Sequence, residues 1–247
     1  PGQPQGSGTV VRDLKTGVLA QASVASDGTH ADADSSHPAL SADGRFVAFE
    51  SPATNLVPGD TNQASDVFLH DRRSGTTVRL SVASDGTEAN GDSFRPALSA
   101  DGRVVVFESR ATNLVAGDTN STTDVFVHDR ANGTTTRVSL ASDGTQADRT
   151  SYLAAISGDG QMVAFASEAT NLVAGDPNGA HDVFVHDRGA AITTRASLTT
   201  DEGEADGASV TGALSFDGTL LAFESEATNL VPGDTNGVTV VFVREQG

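Results

Sequence analysis

Short runs of alternating apolar and polar residues, separated by turn residues, are the main pattern along this chain. In the stretch "PALSADGRVVVFES" (96–109) Val104 and Val106 occupy every second position, so they lie on one face of a predicted strand, and Phe107 adds bulk beside them. The Asp101–Gly102 pair divides the stretch into two predicted strands. A third strand, "DVFVHDR" (124–130), follows a long loop, and "TTTRVSLAS" (134–142) supplies a fourth. Because no segment has a helical period of useful length, the pattern predicts four-stranded units, whose strands we call inner, second, third and outer.

The four-stranded unit is repeated along the chain at an even spacing. "DVFLHDR" begins at position 66 and recurs as "DVFVHDR" at positions 124 and 182 and as "VVFVREQ" at position 240. A fixed period of this length is typical of propeller blades, none of which can bury both of its faces alone. The sequence therefore predicts an all-β fold, a β-propeller of four 58-residue, four-stranded blades in a single domain, 8–247. The repeats are 8–65, 66–123, 124–181 and 182–239, followed by a closing strand, 240–245.

One segment of each unit also carries a family resemblance. "PALSADGRFVAFES" (38–51), with its echoes at 96, 154 and 212, resembles the P-x-W-S-P-D-G-x-x-I-A-F-x-S signature of TolB-like, WD-repeat-like β-propellers. Leucine or isoleucine stands where that signature has tryptophan, and the repeat is long for one blade of that family. The resemblance covers all four units and implies the propeller fold. It does not identify a function, because such propellers serve as binding platforms, enzyme subdomains and scaffolds.

The two ends of the repeat suggest how the ring closes. Cut at the inner strand, the fourth blade lacks an outer strand, and "VLAQASVAS" (18–26) matches that strand. We therefore expect the N-terminal strand to complete the C-terminal blade, which would remove an exposed sheet edge. Residues 10–13 and 241–244 both resemble a third strand, and we assign the slot to the C-terminal copy because it keeps Phe242. This arrangement predicts a monomer; the alternative is a homo-oligomeric ring assembled from two chains.

The charge balance narrows the classes of partner. The 247 residues include 33 acidic and 15 basic side chains, a formal net charge of −18 that disfavours nucleic acid and anionic membrane surfaces. No apolar run approaches the about 20 residues of a membrane span, so we predict no membrane insertion. The chain has no cysteine, which excludes disulfides and thiolate chemistry. Residues 1–7 are predicted to be a linker or disordered, and the acidic, Ser/Thr/Gly-rich composition favours a secreted or cell-envelope protein.

Propeller topology places the acidic loops at one pole. The outer-to-inner loop (25–36) and the second-to-third loop (54–66) emerge on the same side if the strands alternate in direction. Together with their equivalents in the other three units, these loops hold 19 of the 33 acidic side chains, but Arg149 alone of the 15 basic ones. The equivalents are 83–94, 141–152 and 199–210 for the first loop and 112–124, 170–182 and 228–240 for the second. We expect an intensely negative surface that favours cations and basic partners.

The second-to-third loops are also candidate calcium sites. Aspartate and asparagine oxygens recur at relative positions 1, 3 and 7, and water could complete the shell of six to eight oxygens that calcium takes. The same residues could instead cap turns by hydrogen bonding to the backbone, so both interpretations stay open. The predicted ligands are Asp60, Asn62 and Asp66; Asp118, Asn120 and Asp124; and Asp176, Asn178 and Asp182.

The fourfold repetition breaks at the upper ends of the inner strands, around the predicted channel mouth. His37, Phe94, Arg95 and Tyr152 lie there, and we predict that they bind a small ligand. No catalytic motif accompanies them. Two functions remain open. One is a non-enzymatic binding or scaffold protein that holds a protein or polysaccharide on its acidic, calcium-loaded face, and the other is a hydrolase or lyase with its site at the channel mouth.

Overall fold

The computed structural model describes residues 7–176, 178–235 and 237–246, and these residues form 17 strands with no helix. All sheets are antiparallel. The strands are β1(Val10–Arg12), β2(Leu19–Gln21), β3(Ser36–Leu40), β4(Phe46–Ser51), β5(Asp66–Asp71), β6(Thr76–Arg79), β7(Ser93–Leu98), β8(Val104–Ser109), β9(Asp124–Asp129), β10(Thr134–Arg137), β11(Ser151–Ile156), β12(Met162–Ser167), β13(Asp182–Asp187), β14(Ile192–Arg195), β15(Ser209–Leu214), β16(Leu220–Ser225) and β17(Val240–Glu245). The described part of the chain thus contains no helix that could cross a membrane.

Three sheets have the four strands that the sequence predicts, in the orders β3-β4-β5-β6, β7-β8-β9-β10 and β11-β12-β13-β14. Each begins with the predicted hairpin, in which Gly44, Gly102 or Gly160 adopts the positive φ that the tight turn requires. The inner strands then shift register, for example between Phe94 and Ala97, at a β-bulge that turns the upper end of the strand.

The core lies between neighbouring sheets, not within any one of them. Phe46, Ala48, Val67 and Leu69 on one face of the first sheet pack against Val105, Phe107 and Phe126 of the second, and the same arrangement recurs between later sheets. Both faces of β5, β9 and β13 are buried, and each of these strands has three consecutive apolar residues between polar ends. In β9, for example, Val125, Phe126 and Val127 are followed by the buried His128 and Asp129.

Hydrogen bonds tie neighbouring sheets together at their outer strands. The Thr77 hydroxyl donates to the backbone carbonyl of Val24, 2.5 Å away, and contacts Nδ1 of His70 at 2.9 Å. The same bonds recur in the next two sheets, at Thr135 with His128 and at Thr193 with His186. Burial lowers the pKa of all three histidines. These threonine and histidine side chains therefore link each outer strand to its own third strand and to the unit before it.

The predicted closure of the ring by the N-terminal strand is wrong. β2 pairs with β1 in a separate two-stranded sheet, while the C-terminal sheet has three strands in the order β15-β16-β17. The assignment of 240–245 to the third-strand position is confirmed, because β17 pairs with β16 and Phe242 stacks on Phe223. The physical reason is the short separation along the chain. Only a short loop joins residues 10–12 to residues 19–21, so pairing β2 with β1 costs less loop-closure entropy than pairing β2 with the distant β17.

The predicted N-terminal linker, 1–7, lies outside the described residues except for Ser7. The Ser7 backbone N–H donates to the Asp34 carboxylate at 2.5 Å, and its carbonyl accepts from the N–H of Ser35. The described chain is therefore anchored to the first acidic loop from its start.

Candidate functional site

The outer-to-inner loops and the second-to-third loops contact each other at one pole, as the sequence predicts. In the first unit the carboxylate of Asp32 accepts hydrogen bonds from the backbone N–H and hydroxyl of Thr54, and the Asn55 amide donates to the His30 carbonyl. Corresponding contacts join the loops of the other three units, at Asn90–Thr112, Asp148–Thr170 and Asp206–Thr228. The loops of one unit thus form one hydrogen-bonded layer, which we call the loop face.

The loops of one unit also bond to those of the next. The hydroxyl of Thr61 donates to the Glu88 carboxylate, and the Asn62 amide donates to the Ala89 carbonyl at 3.0 Å. Gln146 replaces Glu88 in the following unit and contacts Thr119. Because these bonds cross from one sheet to its neighbour, the loop face is continuous over the described units and not a set of separate tips.

An arginine from the outer strand enters each predicted calcium loop. Nη1 of Arg79 lies 3.3 Å from Oδ1 of Asp60, 3.1 Å from Oδ2 of Asp66 and 2.9 Å from Oε2 of Glu88. Its side chain is 10% exposed, so the guanidinium is almost fully enclosed among carboxylates. The loop therefore contains its own positive charge.

The same arrangement occurs in the next two units. Arg137 contacts Asp118 and Asp124 at 3.2 and 3.4 Å, and Arg195 contacts Asp176, Asp182 and Glu204 at 3.4, 3.3 and 3.1 Å. Burial, which disfavours the ionised form, raises the pKa of Asp66, Asp124 and Asp182, and raises that of Asp176 to about 6.

The predicted asparagine ligands make turn-capping hydrogen bonds. Oδ1 of Asn62 accepts from the N–H of Ala64 at 2.9 Å while its amide donates to Asp66, and Asn120 and Asn178 cap Thr122 and Ala180 in the same way. In the third unit the carboxylate oxygens of Asp176, Asp182 and Glu204 lie within 4.8 Å of one another. Oδ1 of Asp176 is buried and has no hydrogen-bond partner apart from its ion pair with Arg195.

The sequence argument missed the arginines and glutamates of these clusters. Arg79 lies at the end of the outer strand and Glu88 in the loop that follows it, so neither belongs to the short motif that begins at Asp60. The available signal was that Arg79, Arg137 and Arg195 recur at the end of every complete outer strand, with the period of the repeat.

The predicted channel-mouth residues are only partly brought together. His37, Arg95 and Glu108 line a cavity of about 480 Å³ with residues from all four inner strands, and His37, Phe94 and Arg95 line an adjoining one of about 490 Å³. His37 Nδ1 lies 2.9 Å from the carboxylate of Glu50, which also accepts the Arg95 backbone N–H at 2.6 Å. His37 and Arg95 have positive φ values of 46° and 50°, and Leu153, the equivalent residue of the next inner strand, has a φ of 51°. This left-handed conformation therefore recurs at the position where the inner strands line the cavity.

A buried glutamate completes the mouth. Glu108 is fully buried, and its carboxylate accepts the Leu153 backbone N–H at 2.8 Å while lying 3.7 Å from Nη1 of Arg95. Burial raises its pKa. The sequence did not single out Glu50 or Glu108, since both lie within the repeated "FES" run of the second strand.

Tyr152, the fourth predicted residue, lies in neither cavity. Its hydroxyl bonds to Nδ1 of His181, whose Nε2 is 3.6 Å from the Glu168 carboxylate. Arg110, which was not predicted, lines the second cavity and covers the ring of Phe94 at 5.5 Å. The two cavities are thus lined by one histidine, two arginines and three carboxylates, those of Glu50, Asp92 and Glu108.

No family model matches this chain, and no curated protein matches it by sequence. Its fold is that of a TolB-like β-propeller. TolB from Acinetobacter baumannii is 18% identical with a TM-score of 0.51, over 96% of this chain and 45% of that one. An oligogalacturonate lyase in complex with manganese (12% identical, TM-score 0.52, 95% of this chain and 58% of that one) and an acylaminoacyl peptidase (10%, 0.52, 96% and 33%) are also similar. The chain spans less than two thirds of the length of each, and identities this low show the fold alone.

Proposed function

We propose that this chain is a non-enzymatic binding protein that holds a partner protein on its loop face. The observation that carries the proposal is the hydrogen-bonded layer of loops, which concentrates 19 of the 33 acidic side chains at one pole. Part of these carboxylates are paired with the enclosed Arg79, Arg137 and Arg195, and the exposed remainder leaves the surface negative. Such a surface attracts oppositely charged partners and disfavours like-charged ones, so the expected partner presents a basic patch. A polysaccharide is the weaker candidate, because the chain has no tryptophan and one tyrosine on which sugars could stack.

The finer architecture belongs to the same proposal. We take each complete sheet, with its 58-residue repeat, as one propeller blade, and we assign the chain to an exported protein because of its acidic, Ser/Thr/Gly-rich composition. Equivalent loops repeated side by side favour a multivalent surface over a single catalytic centre.

The loop-face proposal can be tested with charge-removing variants that keep the turns. Asp27, Asp85 and Asp143 each accept a backbone N–H two residues later, a bond that asparagine can also make. We expect the triple Asp→Asn variant to bind a poly-lysine probe several-fold more weakly at low salt, measured by calorimetry. The matched control replaces Asp43, Asp101 and Asp217, which cap the hairpin turns at the opposite pole. An equal loss in both variants would show only the effect of net charge and would remove the loop face as the site.

We also propose, separately, that calcium binds at the second-to-third loop that runs from 170 to 182. It is supported by the three converging carboxylates of Asp176, Asp182 and Glu204 and by the unbonded Asp176 oxygen. Binding requires Arg195 to leave the cluster, so we expect Arg195→Ala to bind calcium more tightly than the wild type. Metal analysis of protein purified without chelator, with melting curves in calcium and in EDTA, measures this. Superimposable curves for both proteins would leave Arg195 as the permanent counter-ion.

The alternative function is a hydrolase or lyase acting at the channel mouth. The close His37–Glu50 pair and the enclosed Glu108 favour it, and similar folds occur in a lyase and in peptidases. Replacing His37 and Arg95 would abolish such an activity and leave poly-lysine binding unchanged.

A further inference from the structure

Two buried polar atoms at the channel mouth have no hydrogen-bond partner among the described residues. One is Oε2 of Glu108, whose side chain is 1% exposed, and the other is Oγ1 of Thr211. Both residues line the cavity of about 480 Å³ to which all four inner strands contribute. A polar atom that is withdrawn from water without a new partner costs free energy, so each of these atoms would gain from a hydrogen bond to a molecule in the cavity.

The Glu108 carboxylate is held in position by its other oxygen. Oε1 accepts the backbone N–H of Leu153 at 2.8 Å, a bond that crosses from the second four-stranded sheet to the third. Nη1 of Arg95 lies 3.7 Å from Oε2, which is too far for a hydrogen bond, and the Arg95 side chain is 44% exposed. Oε2 is therefore a fixed, ready-made acceptor at the cavity.

The unpartnered threonine lies where the repeat is broken. In the first two units a glutamate of the second strand accepts the backbone N–H of an inner-strand residue of the next unit, as Glu108 does from Leu153. Ala166 occupies the glutamate position of the third unit, so no equivalent carboxylate extends toward Thr211. The cavity therefore departs from the fourfold pattern on this side.

The rest of the cavity lining is suited to a small organic molecule. Apart from the polar residues His37, Arg95, Glu108 and Thr211, it consists of Pro38, Pro96, Leu153, Ala154 and Gly212. Apolar walls with a few placed polar groups, around a volume of this size, are typical of small-molecule sites. The walls favour a ligand with a short aliphatic skeleton.

We propose that the channel mouth binds a small molecule that carries a primary ammonium group on a short aliphatic skeleton. An ammonium group has three N–H donors and no acceptor, so one such group offers donors to both Glu108 Oε2 and Thr211 Oγ1. Its hydrogen bond to a carboxylate is stronger than a bond between neutral groups, and an enclosed site strengthens it further. An anionic ligand fits less well, because it would meet the Glu108 carboxylate directly.

This ligand site is independent of the loop face as a protein-binding surface. The triple variant of Asp27, Asp85 and Asp143 leaves the cavity lining intact, so it should bind the ammonium ligand as the wild type does. A lysine side chain of a partner protein carries the same ammonium group, however, and the experiment therefore includes a peptide as a second source of that group.

The test titrates nitrogen-15-labelled protein with butylammonium and follows the amide resonances. The Leu153 N–H donates to the other oxygen of the Glu108 carboxylate, so its resonance reports on this site. We expect a saturable shift of the Leu153 resonance with butylammonium and none with butyltrimethylammonium, which has the same charge but no N–H donor. A peptide with one lysine and blocked termini tests the second source, and tighter binding of this peptide than of butylammonium would assign the ammonium group to a partner protein.

Two variants test the polar groups. Glu108→Gln keeps the shape of the side chain and an acceptor for Leu153 but removes the charge, and it should weaken butylammonium binding by about tenfold or more. Thr211→Val removes the hydroxyl and should weaken binding several-fold. The matched control is Glu224→Gln, the same change at the equivalent, exposed position of the fourth unit, which should bind within about twofold of the wild type.

Arg95→Met tests the sign of the ligand charge. The guanidinium lies 3.7 Å from the oxygen that accepts from the ammonium, and like charges repel, so its removal should tighten butylammonium binding several-fold. Weaker binding in this variant would indicate that the cavity prefers an anion and would overturn the proposal.

Three further results would also overturn it. One is the absence of a saturable Leu153 shift in well-folded wild-type protein, which would leave solvent as the partner of the buried oxygen. Another is an equal shift with butyltrimethylammonium, which would show attraction by charge alone. The third is equal binding of butylammonium by the wild type and the Glu108→Gln variant.

Discussion

The enclosed arginines are the residues on which the loop face depends. Arg137 lies between the carboxylates of Asp118 and Asp124 with its side chain 7% exposed, and Asp124 is itself fully buried. A buried ion pair gains little over an apolar replacement of both partners, but removing one partner leaves a charge in a medium that cannot solvate it. The arginine is thus needed because the carboxylates are present.

We expect Arg137→Met to lower the free energy of unfolding by about 3–5 kcal/mol, the range for a broken buried pair. The matched control is Arg103→Met, whose partner Asp129 is 2.9 Å away but whose own side chain is 55% exposed; it should cost about 1 kcal/mol or less. Urea denaturation measures both. Equal losses would mean that Arg137 is far better solvated than its enclosure indicates.

At the scale of elements, the hairpin turn of one sheet is fitted to a side chain of the sheet before it. Gly102 has a φ of +67°, and a Cβ atom there would overlap the ring of Phe46. Gly117, in a loop, has a similar φ of +77° and nothing within 4 Å of its Cβ position. Alanine substitutions at the two glycines therefore distinguish the free-energy cost of the backbone conformation from the free-energy cost of close packing.

Gly117→Ala should cost about 1 kcal/mol, since it imposes only the left-handed conformation on alanine. Gly102→Ala should cost about 1–3 kcal/mol more, because the ring of Phe46 must also move. A Phe46→Leu change should recover part of the extra cost in a double-mutant cycle. Additive effects in that cycle would disprove the proposed contact.

The elements themselves follow from the sequence, whereas their connections at the ends do not. Alternation and Asp-Gly turns predict the four strands from Ser93 to Arg137, and the structure confirms each of them. The pairing of residues 19–21 could not be predicted, because 10–12 and 240–245 both match a third strand and sequence period cannot distinguish them. The arginines in the loops were missed for a related reason: their partners are close in space only after two sheets have formed.

At the scale of the whole molecule, burial depends on whether a sheet has a neighbour on each side. Val67, Val125 and Val183 occupy equivalent positions and are fully buried, whereas Val241 is 65% exposed. Val243 is likewise exposed, while its equivalents Leu69, Val127 and Val185 are buried. The same apolar side chains are thus core residues in three sheets and surface residues in the C-terminal one.

Substitution by lysine should show this difference directly. Val125→Lys buries an unpaired ammonium group and should lower the free energy of unfolding by more than about 4 kcal/mol, whereas Val241→Lys should stay within about 0.5 kcal/mol of the wild type. Denaturant titration at several protein concentrations measures both. A large loss in Val241→Lys would show that this face is covered in solution.

The threonine bonds between adjacent outer strands also affect how the molecule would respond to tension. Thr77, Thr135 and Thr193 each link one sheet to the unit before it, so a pull on the two termini loads these links in series. When one link breaks, the unit behind it can unravel without its neighbours and lengthens the chain by on the order of 200 Å. Repetition would then make the protein extend in equal steps and not fail all at once.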